Sequence, residues 1–155
     1  TSRFLTLTKG TGVINRIFHG YGKFEGEMDG RKNGALISMA NGKAVAFAIF
    51  NLQARGEMFV THNDPVYEGM IVGLAPKPGD MIINVMKGKQ LTNMRTQGTD
   101  ENVVLTPVRQ MSIAEQLSML NTDEALEITP KSLRLRKAIL NPNDRKKNEK
   151  SGTPL

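Results

Sequence analysis

Turn-forming residues interrupt the apolar segments of this chain at short intervals. The longest uninterrupted apolar run, Ala44–Phe50, has only seven residues, far fewer than the roughly 20 that a membrane-spanning helix needs. Elsewhere Gly, Pro, Asn and Asp separate short segments rich in Val, Ile, Leu and Met, which is typical of strands joined by tight turns. We therefore predict an α+β fold, predominantly β, in which short strands form a barrel-like antiparallel sheet beside one or two short helices.

The dipeptide Asn41-Gly42 is the strongest local turn signal. This pair favours a two-residue type I′ hairpin turn, and it lies between the apolar segments 34–39 and 43–50. The sequence therefore predicts a β-hairpin. In its second arm large side chains alternate with alanines, as expected of a strand buried on both faces. These large residues are Val45, Phe47 and Ile49.

Local patterns predict the other elements. Ser112 and Glu115 have the spacing of a capping box, so a helix is expected to begin there. Residues 126–129 and 132–137 flank a proline turn and predict a second hairpin. Asn141-Pro142 predicts the start of a short polar helix or of a frayed tail. Further short strands are predicted at residues 13–18, 58–60, 69–73, 81–86 and 103–105.

Three regions are expected along the chain. Residues 1–8 are typical of the end of a helix, which Gly10 and Gly12 close. Because one helical turn is not stable alone, we expect residues 1–25 to be the end of a domain that begins upstream. Residues 26–140 are predicted to form a β-rich domain. Residues 141–155 are predicted to form a basic tail, with disorder as one alternative.

Positive charge is concentrated at the C-terminal end. The sequence carries 21 Lys and Arg against 15 Asp and Glu, a net charge of +6. Residues 1–130 are neutral overall, with 13 basic and 13 acidic side chains, whereas residues 131–155 hold eight basic and two acidic ones. Such an asymmetry indicates a polyanionic partner, such as nucleic acid or an acidic surface. A solvated tail without a partner is the alternative.

Several kinds of chemistry find no support in the sequence. There is no cysteine, which excludes disulfides, thiolate zinc sites and cysteine nucleophiles. The two histidines, His19 and His62, lie in no catalytic motif, and no glycine-rich segment has the spacing of a phosphate-binding loop. The carboxylate pair Asp123-Glu124 is expected to be solvated. We therefore expect no catalytic site, metal site or cofactor in these residues, and, without a signal peptide, a cytoplasmic location.

Residues 87–99 form the first candidate binding site. This segment has three positive charges, no acidic residue and several amide and hydroxyl side chains. It shows neither a helical nor a strand period, so a long exposed loop is expected. Cations in such a loop can neutralise phosphates, and polar side chains can bind sugars or base edges. The candidate RNA contacts are Lys87, Lys89, Gln90, Thr92, Asn93 and Arg95.

Residues 132–137 and the tail form the second candidate site. Strand alternation places Leu133 and Leu135 on one face and the arginines between them on the other. We expect this strand to expose a basic ridge that the tail continues, suited to the backbone of folded RNA. The aromatic share of only 5% argues against a stacking platform for single strands. The candidate residues are Arg134, Arg136, Lys137, Arg145, Lys146 and Lys147.

Five sequence blocks carry a family resemblance. They are Gly30–Gly34, Ala44–Gly56, Val66–Gly73, Lys89–Glu101 and Ile128–Lys137. In this order they resemble the C-terminal part of TypA/BipA, a family of ribosome-associated translational GTPases. Residues 4–21 resemble the closing helix and strand of that family's fifth domain, which is similar to the corresponding domain of elongation factor G. The chain from residue 26 onward resembles the family's own C-terminal domain.

The resemblance implies an RNA- and ribosome-binding module. Its loop at residues 89–101 would reach A-site tRNA, and ribosomal RNA would be the other partner; neither a membrane nor DNA is expected. The family is associated with stress response and ribosome assembly. GTP and Mg²⁺ would belong to the parent protein's G domain, so no enzymatic activity is expected of these residues. The alternative interpretation is a protein-interaction module that docks on an acidic protein.

Overall fold

The computed structural model describes residues 2–24, 31–88 and 104–151. Helices and strands are mixed along the chain, and within these residues eight strands accompany four helices. The strands are β1 Ala35–Ser38, β2 Gly42–Lys43, β3 Glu57–Met58, β4 Pro65–Val66, β5 Ile71–Leu74, β6 Met81–Ile83, β7 Glu124–Ile128 and β8 Leu133–Lys137. The helices are α1 Ser2–Leu7, α2 Ala46–Gln53, α3 Ile113–Ser118 and α4 Pro142–Ser151.

A four-stranded sheet forms the centre of the fold. Its strand order is β3-β5-β1-β6, with β1 antiparallel to β5 and parallel to β6. Two further pairs, β2 with β4 and β7 with β8, form separate two-stranded sheets. The mixed α and β class is therefore confirmed. The described strands do not close into a barrel, so the predicted barrel-like arrangement is not confirmed.

The central sheet separates two apolar clusters. Strands β1 and β5 are buried at all four of their positions, as expected of strands covered on both faces. Leu36 and Val72 belong to the cluster that packs with Ile49 of α2. Ile37 belongs to the other cluster, which contains Leu135 of the β7–β8 hairpin. The sheet thus lies between α2 on one face and this hairpin on the other.

The predicted Asn41-Gly42 hairpin is wrong. Strand β2 pairs with β4, not with β1, and residues 46–53 form helix α2. Strand β1 already has β5 on one side and β6 on the other, so neither edge is free for a hairpin partner. The alternation of alanines with large residues is equally compatible with a helix, because alanine has the highest helix propensity.

The predicted strand at residues 13–18 is also wrong. Residues 11–24 contain no helix or strand, and their apolar side chains are solvent-exposed, with Val13 at 82% and Ile17 at 93%. A strand needs a neighbour to satisfy its backbone N–H and C=O groups, and the described residues supply none here. The preceding helix α1 ends as predicted, with Lys9 and Gly10 at positive φ.

Other local predictions are confirmed. The Ser112 hydroxyl accepts a hydrogen bond from the backbone N–H of Glu115 at 3.3 Å, and the Glu115 carboxylate accepts one from the Ser112 N–H at 2.9 Å, which completes the capping box. The second hairpin forms with Leu126 opposite Leu135. The described strands β3, β5 and β6 overlap the segments predicted at 58–60, 69–73 and 81–86, whereas residues 104–105 carry none.

Candidate functional site

A buried ammonium group joins the β7–β8 hairpin to the rest of the fold. Lys137, the last residue of β8, is only 2% exposed. Its Nζ donates to Asp123 Oδ2 at 2.7 Å and to Glu124 Oε1 at 3.1 Å, and it forms an ion pair with Asp80 Oδ2. A buried charge is costly unless it is paired and hydrogen-bonded, and these three carboxylates offset the cost of burying the Lys137 ammonium.

A second cation completes the pairing of Glu124. The Arg31 guanidinium binds both carboxylate oxygens, with Nη2 at 2.7 Å from Oε1 and Nη1 at 3.2 Å from Oε2. Arg31 Nη1 also donates to the carbonyl oxygen of Met119 at 3.2 Å. The side chains of Arg31 and Glu124 are 7% and 0% exposed. One arginine therefore links the segment before β1 to the end of α3 and the start of β7.

Backbone geometry places Asp80 beside this pair. Its Oδ1 accepts a hydrogen bond from the Ala35 N–H at 2.7 Å. The preceding residue, Gly34, donates to the Lys77 carbonyl at 3.0 Å, and a Cβ on Gly34 would lie 1.8 Å from the Gly79 oxygen. Only glycine allows this approach. The resulting ionic cluster, two cations with three carboxylates, consists of Arg31, Asp80, Asp123, Glu124 and Lys137.

The ionic cluster favours the charged forms of Lys137 and Asp80. Burial alone would lower the pKa of Lys137, but hydrogen bonds to Asp123 and Asp80 and the charge of Glu124 outweigh burial and raise that pKa above 10.5. Burial alone would raise the pKa of Asp80. Hydrogen bonds from Lys137 and the Ala35 N–H, with the charge of Lys137, lower it below 3.8. At neutral pH both groups are therefore ionised.

These shifts predict a broad plateau of stability against pH. The contribution of Asp80 is present above its unfolded pKa of 3.8 and is lost as pH falls through its lower folded value. That of Lys137 is complete below its unfolded pKa of 10.5 and is lost as pH rises through its higher folded value. We expect urea-unfolding free energies to be flat between about pH 5 and about pH 10 and to decline on both sides. A Lys137→Met variant with declines as steep as the parent's would contradict this assignment.

The structure corrects the predicted role of Lys137 in RNA binding. Its side chain faces the interior together with Leu133 and Leu135, because residues two apart in a strand lie on the same face. The sequence itself contains this information, because the two-residue period of β8 places Lys137 on the same face as the leucines. We predicted an exposed Lys137 only because its side chain is charged. Asp123 and Glu124 were expected to be solvated, but Glu124 is fully enclosed. Lys137 is therefore not available to a ligand.

The two arginines of β8 lie on the opposite face and are half-buried. Arg134 Nη1 lies 3.4 Å from Glu127 Oε1, and the Tyr67 hydroxyl donates to the other oxygen of Glu127 at 2.6 Å. Burial and this hydrogen bond raise the pKa of Tyr67 to about 12, so the phenol stays a donor. Arg136 donates to the carbonyls of Lys137 and Ala138. Both arginines therefore share the predicted face, where Glu127 partly neutralises their charge, and their contact with RNA stays a prediction.

Helix α4 carries the tail cations away from the core. It has no buried residue. Asn141 Oδ1 caps its first turn by accepting from the N–H of Asn143 at 2.9 Å. Arg145 does not point freely into solvent, because its Nη1 donates to the carbonyls of Ile139 and Leu140 at 3.0 and 2.6 Å. The cations left exposed on this helix are Lys146, Lys147 and Lys150.

The first candidate loop lies almost wholly outside the described residues. Lys87 is described and exposed, immediately after β6 and its following turn. Lys89, Gln90, Thr92, Asn93 and Arg95 fall in the segment that the structure does not describe, so their predicted contacts stay predictions. Among the described residues no group of three or more His, Asp and Glu could hold a metal ion.

Most of the chain matches the sequence model of a known family. The sequence model of the TypA/BipA C-terminal domain matches residues 33–142, which include the central sheet, the β7–β8 hairpin and every member of the ionic cluster except Arg31. The chain belongs to the TypA/BipA family. The resemblance seen in its sequence blocks is thereby confirmed. The ionic cluster, which joins four separate segments of this C-terminal domain, was not predicted.

Curated relatives agree with this assignment to TypA/BipA. The large ribosomal subunit assembly factor BipA of Buchnera aphidicola is 47% identical over 155 residues, 99% of this chain and 26% of the relative. The proteins of the same name from Salmonella typhimurium and Escherichia coli K12 are each 47% identical over 147 residues, 94% of this chain and 24% of theirs. The chain thus spans about a quarter of the length of these relatives.

None of the helices that the structure describes is long and apolar enough to cross a membrane.

Proposed function

We propose that this TypA/BipA C-terminal domain is an RNA-binding module that attaches a translational GTPase to the ribosome. The observation that carries this proposal is helix α4, which holds Lys146, Lys147 and Lys150 in solvent with no side chain buried against the domain. A polar helix that buries none of its residues gains little stability from packing against the domain. A polyanion that neutralises these cations would stabilise it.

The distribution of charge supports a nucleic-acid partner. Residues 131–155 hold eight of the 21 basic side chains. Of these eight, only Lys137 belongs to the ionic cluster. Cations arranged at an exposed edge suit phosphate contacts that track a folded RNA backbone by charge and shape. We assign Arg134, Arg136 and the Arg145–Lys147 segment to ribosomal RNA. The Lys87–Arg95 segment is assigned to A-site tRNA.

The relatives give the proposal its cellular setting. They are named large ribosomal subunit assembly factors, and we extend that role, together with ribosome binding in the cytoplasm and a contribution to stress response, to the protein that contains this domain. GTP and Mg²⁺ would be bound by its G domain. The C-terminal domain would hold that protein on the ribosome.

A salt series tests the proposal. Binding of the 155-residue chain to ribosomes and to deacylated tRNA should weaken as salt rises from about 50 to about 200 mM, because each phosphate contact releases counterions. Replacing Lys87, Lys89 and Arg95 with Gln should reduce the slope of log K against log salt by about 2 for tRNA. A salt-independent affinity, or an unchanged slope in this variant, would contradict the proposal.

Two controls separate RNA from an acidic protein as the partner. Replacing Lys32, Lys43 and Lys77, all exposed, with Gln changes the net charge equally and should leave the slope near the parent value. Excess unlabelled ribosomal RNA should displace the bound chain from ribosomes. If only an acidic ribosomal protein competes, the domain is a protein-interaction module.

A further inference from the structure

A groove lies beside the loop that joins β5 to β6. Its volume is about 480 Å³, within the range of pockets that bind small organic molecules. The wall of the groove is mostly apolar, and its apolar side chains are Ala75, Pro76, Pro78 and Met81. Met81 is 38% exposed, although it belongs to the central sheet. The groove therefore leaves an apolar surface that a partner could cover.

The loop is held in place by the chain segment that leads into β1. The Ala75 N–H donates to the Gly34 carbonyl at 2.8 Å, and the Gly34 N–H donates to the Lys77 carbonyl at 3.0 Å. Asp80 Oδ1 accepts a hydrogen bond from the Ala35 N–H at 2.7 Å. Two prolines further restrict the backbone of the loop. Because the groove is formed without a ligand, binding would require little ordering of the chain.

Two cations line the same groove. Arg55 and Lys77 belong to its wall, and both residues are exposed. In the part of the chain that the structure describes, neither side chain forms an ion pair or a hydrogen bond. The carboxylate of Asp80 also lines the groove, but its charge is compensated by an ion pair with Lys137. The groove therefore favours an anionic partner.

We propose that this groove docks an acidic segment of a partner protein, which places one apolar side chain against the two prolines and Met81. Arg55 would bind a neighbouring carboxylate in the bidentate geometry that a guanidinium favours, and Lys77 would attract a second one. A peptide fits better than a nucleotide, because the described wall has no aromatic ring on which a base could stack. The inference goes beyond the proposed function, since it uses none of the residues assigned to RNA above.

A pair of short capped peptides tests the apolar contact. Both carry aspartates on either side of a central residue, which is phenylalanine in one peptide and alanine in the other. Each is titrated into the isotope-labelled 155-residue chain. We expect the phenylalanine peptide to shift the Met81 methyl and Ala75 amide signals and to bind at least about tenfold more tightly than the alanine peptide. Equal affinities, or no shift at Met81, would overturn the inference. Shifts caused by a short oligoadenylate alone would assign the groove to nucleic acid and overturn it too.

A double variant, Arg55→Gln with Lys77→Gln, tests the charge. Because both residues are exposed, we expect an unchanged free energy of unfolding, whereas affinity for the phenylalanine peptide should fall at least about tenfold. Lys32→Gln with Lys43→Gln removes two exposed cations elsewhere and should keep the parent's affinity. Equal losses in the two double variants would show a long-range charge effect and refute docking in this groove. A weaker salt dependence of ribosome binding in the Arg55 and Lys77 variant would assign these cations to RNA instead, and the proposed function would stand without this inference.

Discussion

Replacing Lys137 with methionine is expected to lower the free energy of unfolding by about 3–5 kcal/mol. The substitution keeps most of the buried volume but removes the cation between Asp80, Asp123 and Glu124. Glu124 is fully enclosed and would keep only Arg31 as a charged partner. The substitution is costly because three carboxylates, one of them fully buried, would then share a single cation in a region of low dielectric. Urea unfolding followed by circular dichroism at neutral pH measures the effect.

A matched control and a second substitution test whether the loss of stability in Lys137→Met arises from the ionic cluster. Lys147→Met also removes one lysine from an ion pair, but that side chain is 79% exposed, so the loss should stay below about 1 kcal/mol. Lys137→Met should cost less in a Glu124→Gln background than in the parent, because Glu124 then carries no charge for Lys137 to pair with. Additive effects of the two substitutions would show that the groups do not interact.

The ionic cluster also shows why part of this fold was readable from the sequence. Capping residues and hairpins depend on neighbours a few positions apart, so Ser112 and the β7–β8 hairpin were predicted correctly. The contact between Arg31 and Glu124 joins residues 93 positions apart, and no local pattern encodes it. The failure at Asn41-Gly42 has the same origin, because both edges of β1 are occupied by strands from later in the chain.

In the candidate site, too, local patterns were predictable from the sequence and contacts between distant segments were not. The alternation in β8 correctly placed Arg134 and Arg136 opposite the leucines, since it needs only a period of two. It could not show that Glu127 and Tyr67 contact this face, because Tyr67 comes from a segment 60 residues away from Glu127. Charge composition predicted a basic end, and only the structure separates the cations that stabilise the fold from those left to a partner.

Substitution of the lysines that do not stabilise the fold is expected to cause the largest change in ribosome binding. Lys146, Lys147 and Lys150 are exposed on α4, a helix that has no buried residue. Replacing all three with Gln keeps helix propensity nearly constant and removes three charges. If each lysine neutralises one phosphate, the slope of log K against log salt should fall by about 2–3, and affinity for ribosomes at 0.1 M salt should drop about 100-fold.

The control is the triple variant at Lys32, Lys43 and Lys77, which has the same net charge. If the long-range field of the whole domain governed binding, both variants would weaken it equally. If α4 makes the contacts, only its own variant loses affinity and slope, and both variants keep the parent's unfolding free energy, because the α4 lysines contribute nothing to the core. Equal losses in the two variants would therefore refute α4 as the RNA-binding element. A loss confined to the α4 variant assigns the C-terminal charge to binding and the charge of Lys137 to stability.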